Sequence, residues 1–233
     1  MNRITEDLCL RGYHLSDGWD SQSALRVAFL LGEPQGDIRD PRIARVISPQ
    51  AELEANPNTL SGRYGFGPFP MHTDTAYWRK PARLLFLRCV NPGSANRHTT
   101  LIDTTGWRLT DKEKRLFCNE PWKTSGRRGF LCTVTENIKE NFCYRFDKDC
   151  MSPITRGAHE VQKIIQGKIE DAKIIEIKWR SGDLLIIDNW RCLHGRSPVA
   201  LPDPDRELER ILIAGNSYEV GFKEPVAKSE SIH

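Results

Sequence analysis

Short apolar runs bounded by turn residues recur along this chain, and most of them are too short to be helices. Several alternate apolar with polar residues at a period of two, which is typical of strands buried on one face. The chain is therefore predicted to be rich in β-structure. The predicted strands are Ile43–Ser48, Ala82–Val90, Thr99–Asp103, Gly126–Thr135, Phe142–Phe146, Ile175–Trp179 and Leu184–Ile187.

Three helices are predicted between these strands. Ser21–Leu31 carries apolar residues along one face and is followed by glycine and proline, which end helices. Thr110 and Glu113 form a capping box before a short helix, and Thr155 opens a longer amphipathic one. Pro57–Pro68 is rich in proline, glycine and asparagine and is predicted to be an irregular loop.

The order of these elements predicts the class of fold. Many short strands with a few helices favour a mainly β fold with flanking helices, a double-stranded β-helix or jelly roll. At 233 residues, the chain suits one domain that spans residues 1–233. No glycine-rich phosphate loop follows a strand, so a doubly wound α/β sheet is disfavoured. Residues ahead of Trp19 give little signal, and the polar tail Glu219–His233 is predicted to fray.

Composition and charge narrow the classes of partner. Hydrophobic residues make up 39% and charged residues 28% of the chain, as in soluble globular proteins. The net charge of +3 is scattered, so neither nucleic acid nor a membrane surface is an expected partner. No apolar stretch reaches the about 18 residues of a membrane span, and the N-terminus lacks the apolar core of a signal peptide. A small-molecule partner is expected, and a homo-oligomer is left open.

The cysteines indicate a cellular compartment. The chain has 7 of them, an odd number, and they are widely spaced without a Cys-x-x-Cys pair. This pattern favours reduced thiols in a cytoplasmic protein over a disulfide framework or a zinc finger.

The run Phe69–Thr75 contains His72 and Asp74, an imidazole and a carboxylate two residues apart. On an extended segment such side chains point to the same side, so both can contact one metal ion. The best candidate for a third ligand is His194, because an apolar strand runs towards it and Gly195 follows as a turn residue. Two histidines and one carboxylate form the facial triad that suits Fe(II) in oxygenases. The alternative is that these are packed or surface residues, since short motifs recur by chance.

A second chemical feature lies further along, at Asp205–Gly215. Arg206 and Arg210 alternate there with leucines and share one face if the segment is a strand. Arginine is rarely buried without an anionic partner, and a guanidinium can hold a carboxylate with two hydrogen bonds. These arginines therefore indicate a bound anion. The alternative is an exposed edge on which Arg206 pairs with Glu207 or Glu209.

Together these stretches resemble the taurine/2-oxoglutarate dioxygenase family, in particular its clavaminate-synthase-like members. The similarity runs roughly from Pro57 to Ser217. Its clearest segments are Phe69–Asp74, Gly182–Asn189, Leu193–Arg196 and Arg206–Ile213. The resemblance implies an Fe(II)- and 2-oxoglutarate-dependent oxygenase on a jelly-roll fold, with O2 as co-reactant.

The resemblance also implies roles for the residues singled out above. In this family a His-x-Asp pair and a distal histidine bind the iron, which places the metal ligands at His72, Asp74 and His194. A family arginine downstream of the distal histidine binds the far carboxylate of 2-oxoglutarate, and its position here is Arg206. Arg210 matches a second family arginine near the same pocket.

A threonine on the strand after the first ligand pair also binds 2-oxoglutarate in the family. Thr100 is the preferred match, and Thr99 is the alternative because the loop ahead of them leaves the alignment open.

The resemblance implies a small anionic substrate, since clavaminate-like relatives often act on amino acids. Arg210, Arg196 and Arg63 are candidates to bind its carboxylate or sulfonate. For Arg196 the alternative is a surface position on the turn after His194. Tyr64 and Trp190 are candidates to wall the pocket, with core or rim packing as the alternative. The expected reaction oxidises an unactivated C–H bond, by hydroxylation, desaturation or cyclisation, and releases succinate and CO2.

Two other functions stay open at this stage. One is a cupin-like metal enzyme that does not use 2-oxoglutarate, such as a hydrolase or an isomerase. The other is a non-catalytic jelly-roll protein that binds a small molecule.

Overall fold

The computed structural model describes residues 2–36, 41–56, 59–125, 129–138 and 141–214. Within these ranges the α-helices are α1 (Asn2–Arg11), α2 (Ser21–Leu31), α3 (Leu60–Tyr64), α4 (Asp111–Asn119) and α5 (Arg156–Glu170). The strands are β1 (Tyr13–Ser16), β2 (Glu33–Gln35), β3 (Ala44–Ile47), β4 (Phe69–His72), β5 (Leu84–Asn91), β6 (Thr99–Asp103), β7 (Trp122–Thr124), β8 (Leu131–Cys132), β9 (Thr135–Ile138), β10 (Asn141–Tyr144), β11 (Met151–Pro153), β12 (Ile175–Ile177), β13 (Leu184–Asp188), β14 (Cys192–Arg196) and β15 (Glu207–Ala214).

Two antiparallel sheets form the body of the fold. The larger has the strand order β1-β13-β5-β15-β2, with β3 also paired to β15, and the smaller has the order β12-β6-β14-β4. A shared hydrophobic core joins them, with Leu85, Leu185 and Leu212 from the larger sheet and Leu101 from the smaller. The prediction of a mainly β fold of the jelly-roll type, with helices outside, is confirmed.

Helices α1 and α2 cover the outer face of the larger sheet. Leu8 of α1 and Ala28 of α2 pack there with Ile211 of β15. Leu208 and Leu212 of the same strand belong instead to the core between the sheets. The side chains of β15 therefore alternate between the two cores with the predicted period of two, because successive residues of a strand point to opposite faces.

The segment between β6 and β12 covers the outer face of the smaller sheet. Phe117 of α4 and Val161 of α5 pack with Met71 of β4, Ile102 of β6 and Leu193 of β14. This second core supports from behind the three strands that carry the candidate site. In the described ranges, no helix is both long and apolar enough to cross a lipid bilayer.

The predicted helices are confirmed. α2 covers Ser21–Leu31 and begins at Asp20, whose side chain accepts a hydrogen bond from a backbone N–H in its first turn. Thr110 and Glu113 form the capping box of α4, and Thr155 caps α5. The sequence reveals these starts because capping chemistry is local.

Other predictions differ from the structure. Residues ahead of Trp19 form α1 and β1, and β1 is held by its pairing with the distant β13, which a local pattern does not reveal. Pro57–Pro68 contains the short helix α3, and its residues 57 and 58 lie outside the described ranges. The predicted strand Gly126–Thr135 is replaced by β8 and the start of β9, with 126–128 outside the described ranges. The tail Glu219–His233 also lies outside them.

Gly195 lies inside β14 and is not the turn residue that was predicted. The turn comes earlier, between β13 and β14. β14 pairs with β4 on one side, through an irregularity between His194 and Arg196, and with β6 on the other. A Cβ added at Gly195 would sit 2.8 Å from the carbonyl oxygen of Phe69 and 3.1 Å from Oγ1 of Thr100. Glycine is needed here because neighbouring backbones approach closely.

We expect Gly195→Ala to lower the free energy of unfolding by about 1–3 kcal/mol, because overpacking forces the backbone of β4 to move. Urea unfolding followed by circular dichroism measures this. The matched control is Gly167→Ala in α5, where an added Cβ meets no atom within 4 Å. That change should raise the free energy of unfolding by about 0.5–1 kcal/mol, since alanine favours a helix interior. Equal stability of Gly195→Ala and the native chain would contradict the close approach.

Candidate metal and anion site

The two candidate histidines lie opposite each other on neighbouring strands of the smaller sheet. His194 of β14 is the register partner of His72 of β4, and their ring centroids are 4.3 Å apart. Nδ1 of His72 lies 2.9 Å from the carbonyl oxygen of Pro70. A carbonyl can only accept, so Nδ1 donates to it, which directs Nε2 to be the nitrogen that would bind a metal.

Asp74 follows β4 in a turn that Asn189 holds in place. The backbone N–H of Asp74 donates to Oδ1 of Asn189 at 2.8 Å. Nδ2 of Asn189 donates to the carbonyl oxygens of Asp74 at 3.0 Å and Ala82 at 2.8 Å. Thr75 has a φ of 58°, a conformation that is uncommon for a β-branched residue and that clusters at functional sites. The side chain of Thr73 points the other way, towards a carbonyl of β10.

The carboxylate of Asp74 contacts the guanidinium of Arg210. Nη1 of Arg210 lies 3.0 Å from Oδ2 and 3.4 Å from Oδ1. Burial raises the pKa of Asp74, but Arg210, His194 and His72 more than offset this and hold the pKa below its usual value. As the side chains stand, no three His, Cys, Asp or Glu residues of the described ranges are arranged to hold a metal ion. Side chains must therefore adjust before Asp74 and the two histidines can share one ion.

The chemistry of these donors nevertheless fits Fe(II). Nδ1 of His194 is buried and has no hydrogen-bond partner among the described residues. Burial lowers the pKa of His194 to about 3, and His72 beside it acts in the same direction. The ring is therefore neutral at physiological pH, which is the form that binds metals. Two neutral imidazoles and one ionised carboxylate are the donor set of non-heme Fe(II) oxygenases.

Arg206 lies just ahead of β15 and is buried. Its Nη2 is 3.5 Å from Oγ1 of Thr99, and its Nε has no hydrogen-bond partner in the described part of the chain. Burial, with Arg97 nearby, lowers the pKa of Arg206 to about 10, so the side chain stays cationic at neutral pH. The charge of Asp203 favours the cationic form of Arg206, but Arg206 forms no direct ion pair in the described part of the chain. A buried cation that lacks a directly paired anion is costly, so this position is suited to an anionic ligand.

The two threonines of β6 lie on opposite faces of the strand. Leu101 belongs to the core between the sheets, and Ile102 belongs to the core behind the smaller sheet. Because side chains alternate along a strand, Thr99 shares the inner side with Leu101 and Thr100 shares the outer side with Ile102. Thr99 contacts Arg206. The geometry therefore favours the alternative, Thr99, over the preferred Thr100.

Arg196 is buried at the end of β14 and does not lie on a surface turn. It donates from Nε to the carbonyl of Gly67 at 2.9 Å and from Nη2 to that of Gly65 at 2.6 Å. Its guanidinium carbon is 3.5 Å from the ring centroid of Phe69. Arg97 also donates to the carbonyl of Gly67, at 3.3 Å. The geometry favours a role for Arg196 in fixing the loop ahead of β4 over the predicted role in binding substrate.

The other pocket candidates also have partners within the protein. Arg63 pairs with Asp149 at 3.2 Å, and the hydroxyl of Tyr64 donates to the same carboxylate at 2.7 Å. Trp190 is only 2% exposed and donates from its indole N–H to the carbonyl of Pro81 at 3.0 Å. Trp190 is therefore a core residue and not a pocket wall. For Arg63 and Tyr64 the geometry favours packing at the rim.

Sequence reasoning missed two residues that shape the site. Asn189 fixes the turn that carries Asp74, and Arg97 fixes the loop ahead of β4. Asn189 belongs to the Gly182–Asn189 stretch that carries the resemblance, so a signal was present for it. Arg97 had none, because its partners are backbone carbonyls that are distant in sequence.

The fold is that of the non-heme Fe(II) oxygenases, and the residue types of the candidate donors fit that class. The model of the family described as taurine catabolism dioxygenase TauD, TfdA family matches residues 98–212. The match covers His194, Arg206 and Arg210 and begins after Asp74. The predicted resemblance to this family is confirmed, and the predicted class of enzyme, an Fe(II)/2-oxoglutarate-dependent dioxygenase, agrees with it. A search of curated proteins finds no match to this chain.

Solved structures share the fold. An asparagine oxygenase in complex with Fe(II), a 3-hydroxyasparagine and succinate aligns with a TM-score of 0.73 at 16% identity, over 91% of this chain and 78% of its own. The non-heme iron oxygenase OrfP, in complex with Fe and alpha-ketoglutaric acid, gives 0.71 at 19% identity, over 91% and 79%. PvcB from Pseudomonas aeruginosa gives 0.67 at 19% identity, over 92% and 80%. At these identities the likeness establishes the fold.

We expect Asn189→Ala to lower the free energy of unfolding by about 1–3 kcal/mol, because buried backbone groups of the Asp74 turn lose their partners. The control is Asn119→Ala in α4, where the amide donates to the carbonyl of Arg115 on an exposed surface. That change should stay within about 0.5 kcal/mol. Chemical unfolding of both variants measures the difference, and equal losses would show that Asn189 has no special role.

Proposed function

We propose that this protein is an Fe(II)- and 2-oxoglutarate-dependent oxygenase that acts on a small amino-acid-like or other anionic metabolite. The observation that carries the proposal is the pairing of His72 with His194 across β4 and β14, with Asp74 beside them. The family match and the shared fold support it.

The proposal gives each group at the site a part. His72, Asp74 and His194 would hold Fe(II). When bound, the iron with 2-oxoglutarate and O2 supplies the oxidising chemistry, in which 2-oxoglutarate gives succinate and CO2 while a C–H bond of the substrate is oxidised. Arg206, with the hydroxyl of Thr99, would hold the far carboxylate of 2-oxoglutarate by charge-assisted hydrogen bonds. The apolar core between the sheets limits the access of water to this end of the interior.

The arginines near the site indicate the class of substrate. Arg196 and Arg63 are engaged with backbone carbonyls and with Asp149, respectively. Arg210 is also paired, with Asp74, but it lies at the site and keeps 19% of its side chain exposed. A carboxylate of the substrate would contact its guanidinium beside that ion pair. Two of the neighbours are described with hydroxylated asparagine and hydroxylated arginine, which supports an amino-acid-like substrate here.

Arg206 favours this proposal over the two other functions. A cupin-like hydrolase or isomerase that uses only the metal gives no role to a buried guanidinium whose Nε has no hydrogen-bond partner among the described residues. A non-catalytic binding protein has no use for metal donors held by Asn189 and by the Pro70 carbonyl. We further propose, from composition, that the protein acts in the cytoplasm on small molecules and not on nucleic acid or membranes.

The function is tested by adding Fe(II) and 2-oxoglutarate without oxygen and recording the visible charge-transfer absorption. Air is then admitted in the presence of individual amino acids, and succinate is measured. The native chain should show the absorption band and substrate-stimulated succinate, and His72→Ala should show neither because a ligand is lost. Metal binding without a response to 2-oxoglutarate would favour the cupin-like alternative. The absence of metal binding would favour the non-catalytic one.

Arg206→Gln should raise the 2-oxoglutarate concentration needed for half of the absorption band by about 10- to 100-fold, since a charge-assisted contact contributes about 1.5–3 kcal/mol. Arg88→Gln is the control, because Arg88 pairs with Glu209 on the outer side of the larger sheet and loses the same charge. Its requirement for 2-oxoglutarate should match that of the native chain. An equal shift in both variants would indicate a general charge effect and not a specific contact.

A further inference from the structure

The carboxylate of Asp74 already has a cation as its neighbour. A single nitrogen, Nη1 of Arg210, lies within 3.0 Å of one carboxylate oxygen and 3.4 Å of the other. The side chains of Arg210 and Asp74 are only 19% and 15% exposed. Solvent therefore screens this ion pair much less than it would a pair at the surface.

The position of Arg210 is set by the larger sheet. Its register partners are Leu87 of β5 and Arg45 of β3. Leu208 and Leu212, two residues away on either side, lie in the core between the sheets. Pairing on both sides fixes the backbone of Arg210 and directs its side chain to the same face as these two leucines.

We propose that Arg210 contends with the metal ion for the carboxylate of Asp74 and thereby sets the metal affinity of this protein. The inference rests on the proposed function, because it takes the metal site to be His72, Asp74 and His194. Two cations at one weakly screened carboxylate repel each other. Metal binding therefore has to displace the Arg210 contact or share the carboxylate with it.

The ion pair between Arg210 and Asp74 stabilises the protein when no metal is bound. An ionised carboxylate in a largely buried position is destabilising unless it is paired. Arg210 provides that pairing for Asp74. Arg210 therefore stabilises the metal-free protein but lowers its affinity for the metal. A neutral residue in its place should lower the stability of the metal-free protein and raise the affinity for the metal.

The experiment is a titration with Co(II), followed by its visible absorption, without 2-oxoglutarate or substrate. Arg210→Gln should bind Co(II) about tenfold more tightly than the native chain, a change of about 1.4 kcal/mol. Arg210→Lys keeps the positive charge and should stay close to the native affinity. Arg88→Gln removes an equal charge from an ion pair that does not involve Asp74, and should also match the native chain.

Thermal unfolding gives a second measurement that does not depend on the titration. In the presence of a chelator, Arg210→Gln should have a lower Tm than the native chain. Saturating Co(II) should raise the Tm of the variant by more than it raises the Tm of the native chain. If the variant is too unstable to titrate, the Co(II)-induced rise in Tm tests the inference instead.

Native or weaker Co(II) affinity in Arg210→Gln, alongside loss of binding in His72→Ala, would overturn the inference and leave the metal site standing. If the native chain, Arg210→Gln and His72→Ala all fail to bind Co(II), the inference and the proposed function both fall.

Discussion

The register between three strands of the smaller sheet is the constraint on which the site depends. β14 runs between β4 and β6, and this places His194 opposite both His72 and Leu101. Two residues further on, Arg196 is the register partner of Thr99. The two candidate histidines and Thr99 therefore belong to one hydrogen-bonded ladder. A shift of one residue in β14 would turn every one of its side chains to the opposite face. Gly195 allows the close approach that this register needs, and the core behind the sheet holds the three strands together.

The second constraint is the stabilisation of buried positive charge. Arg97 and Arg196 donate to carbonyl groups of the loop ahead of β4, and this use of the backbone explains why two cations can lie so close to a third. Burial lowers the pKa of Arg196 to about 9, with Arg97 and Arg206 acting in the same direction. Arg210 is balanced by Asp74. Arg97 and Arg206 each keep a buried Nε that has no hydrogen-bond partner among the described residues. Arg97 donates to three backbone carbonyls, whereas Arg206 has the hydroxyl of Thr99 at 3.5 Å. Arg206 is therefore the better placed of the two for an external anion.

The sequence predicted the parts of this architecture whose causes are local. Helix starts at Thr110 and Thr155 follow from capping chemistry, and the alternation along β15 follows from the pleat of a strand. The choice between Thr99 and Thr100 could not be made locally, because it depends on which face of β6 points to the larger sheet. The alternatives for Trp190 and Arg196 stayed open in the sequence for the same reason. Their partners, the carbonyls of Pro81 and of the Gly65–Gly67 loop, are more than a hundred residues away along the chain.

The charged residues of β15 show why a residue pattern can still identify such a site. From the sequence alone, Arg206 could have paired with Glu207 or Glu209 at an exposed edge. In the structure, Glu209 lies on the helix side of the sheet, where it pairs with Arg88 and accepts a hydrogen bond from Ser21. The pleat therefore sends acidic and basic side chains of one strand to opposite faces, and the local neutralisation that adjacency suggests does not occur. The positive charge of Arg206 is left on the inner face, next to the strands that carry the metal donors. A dicarboxylate such as 2-oxoglutarate, bound to iron at one end, would supply the missing negative charge at the other.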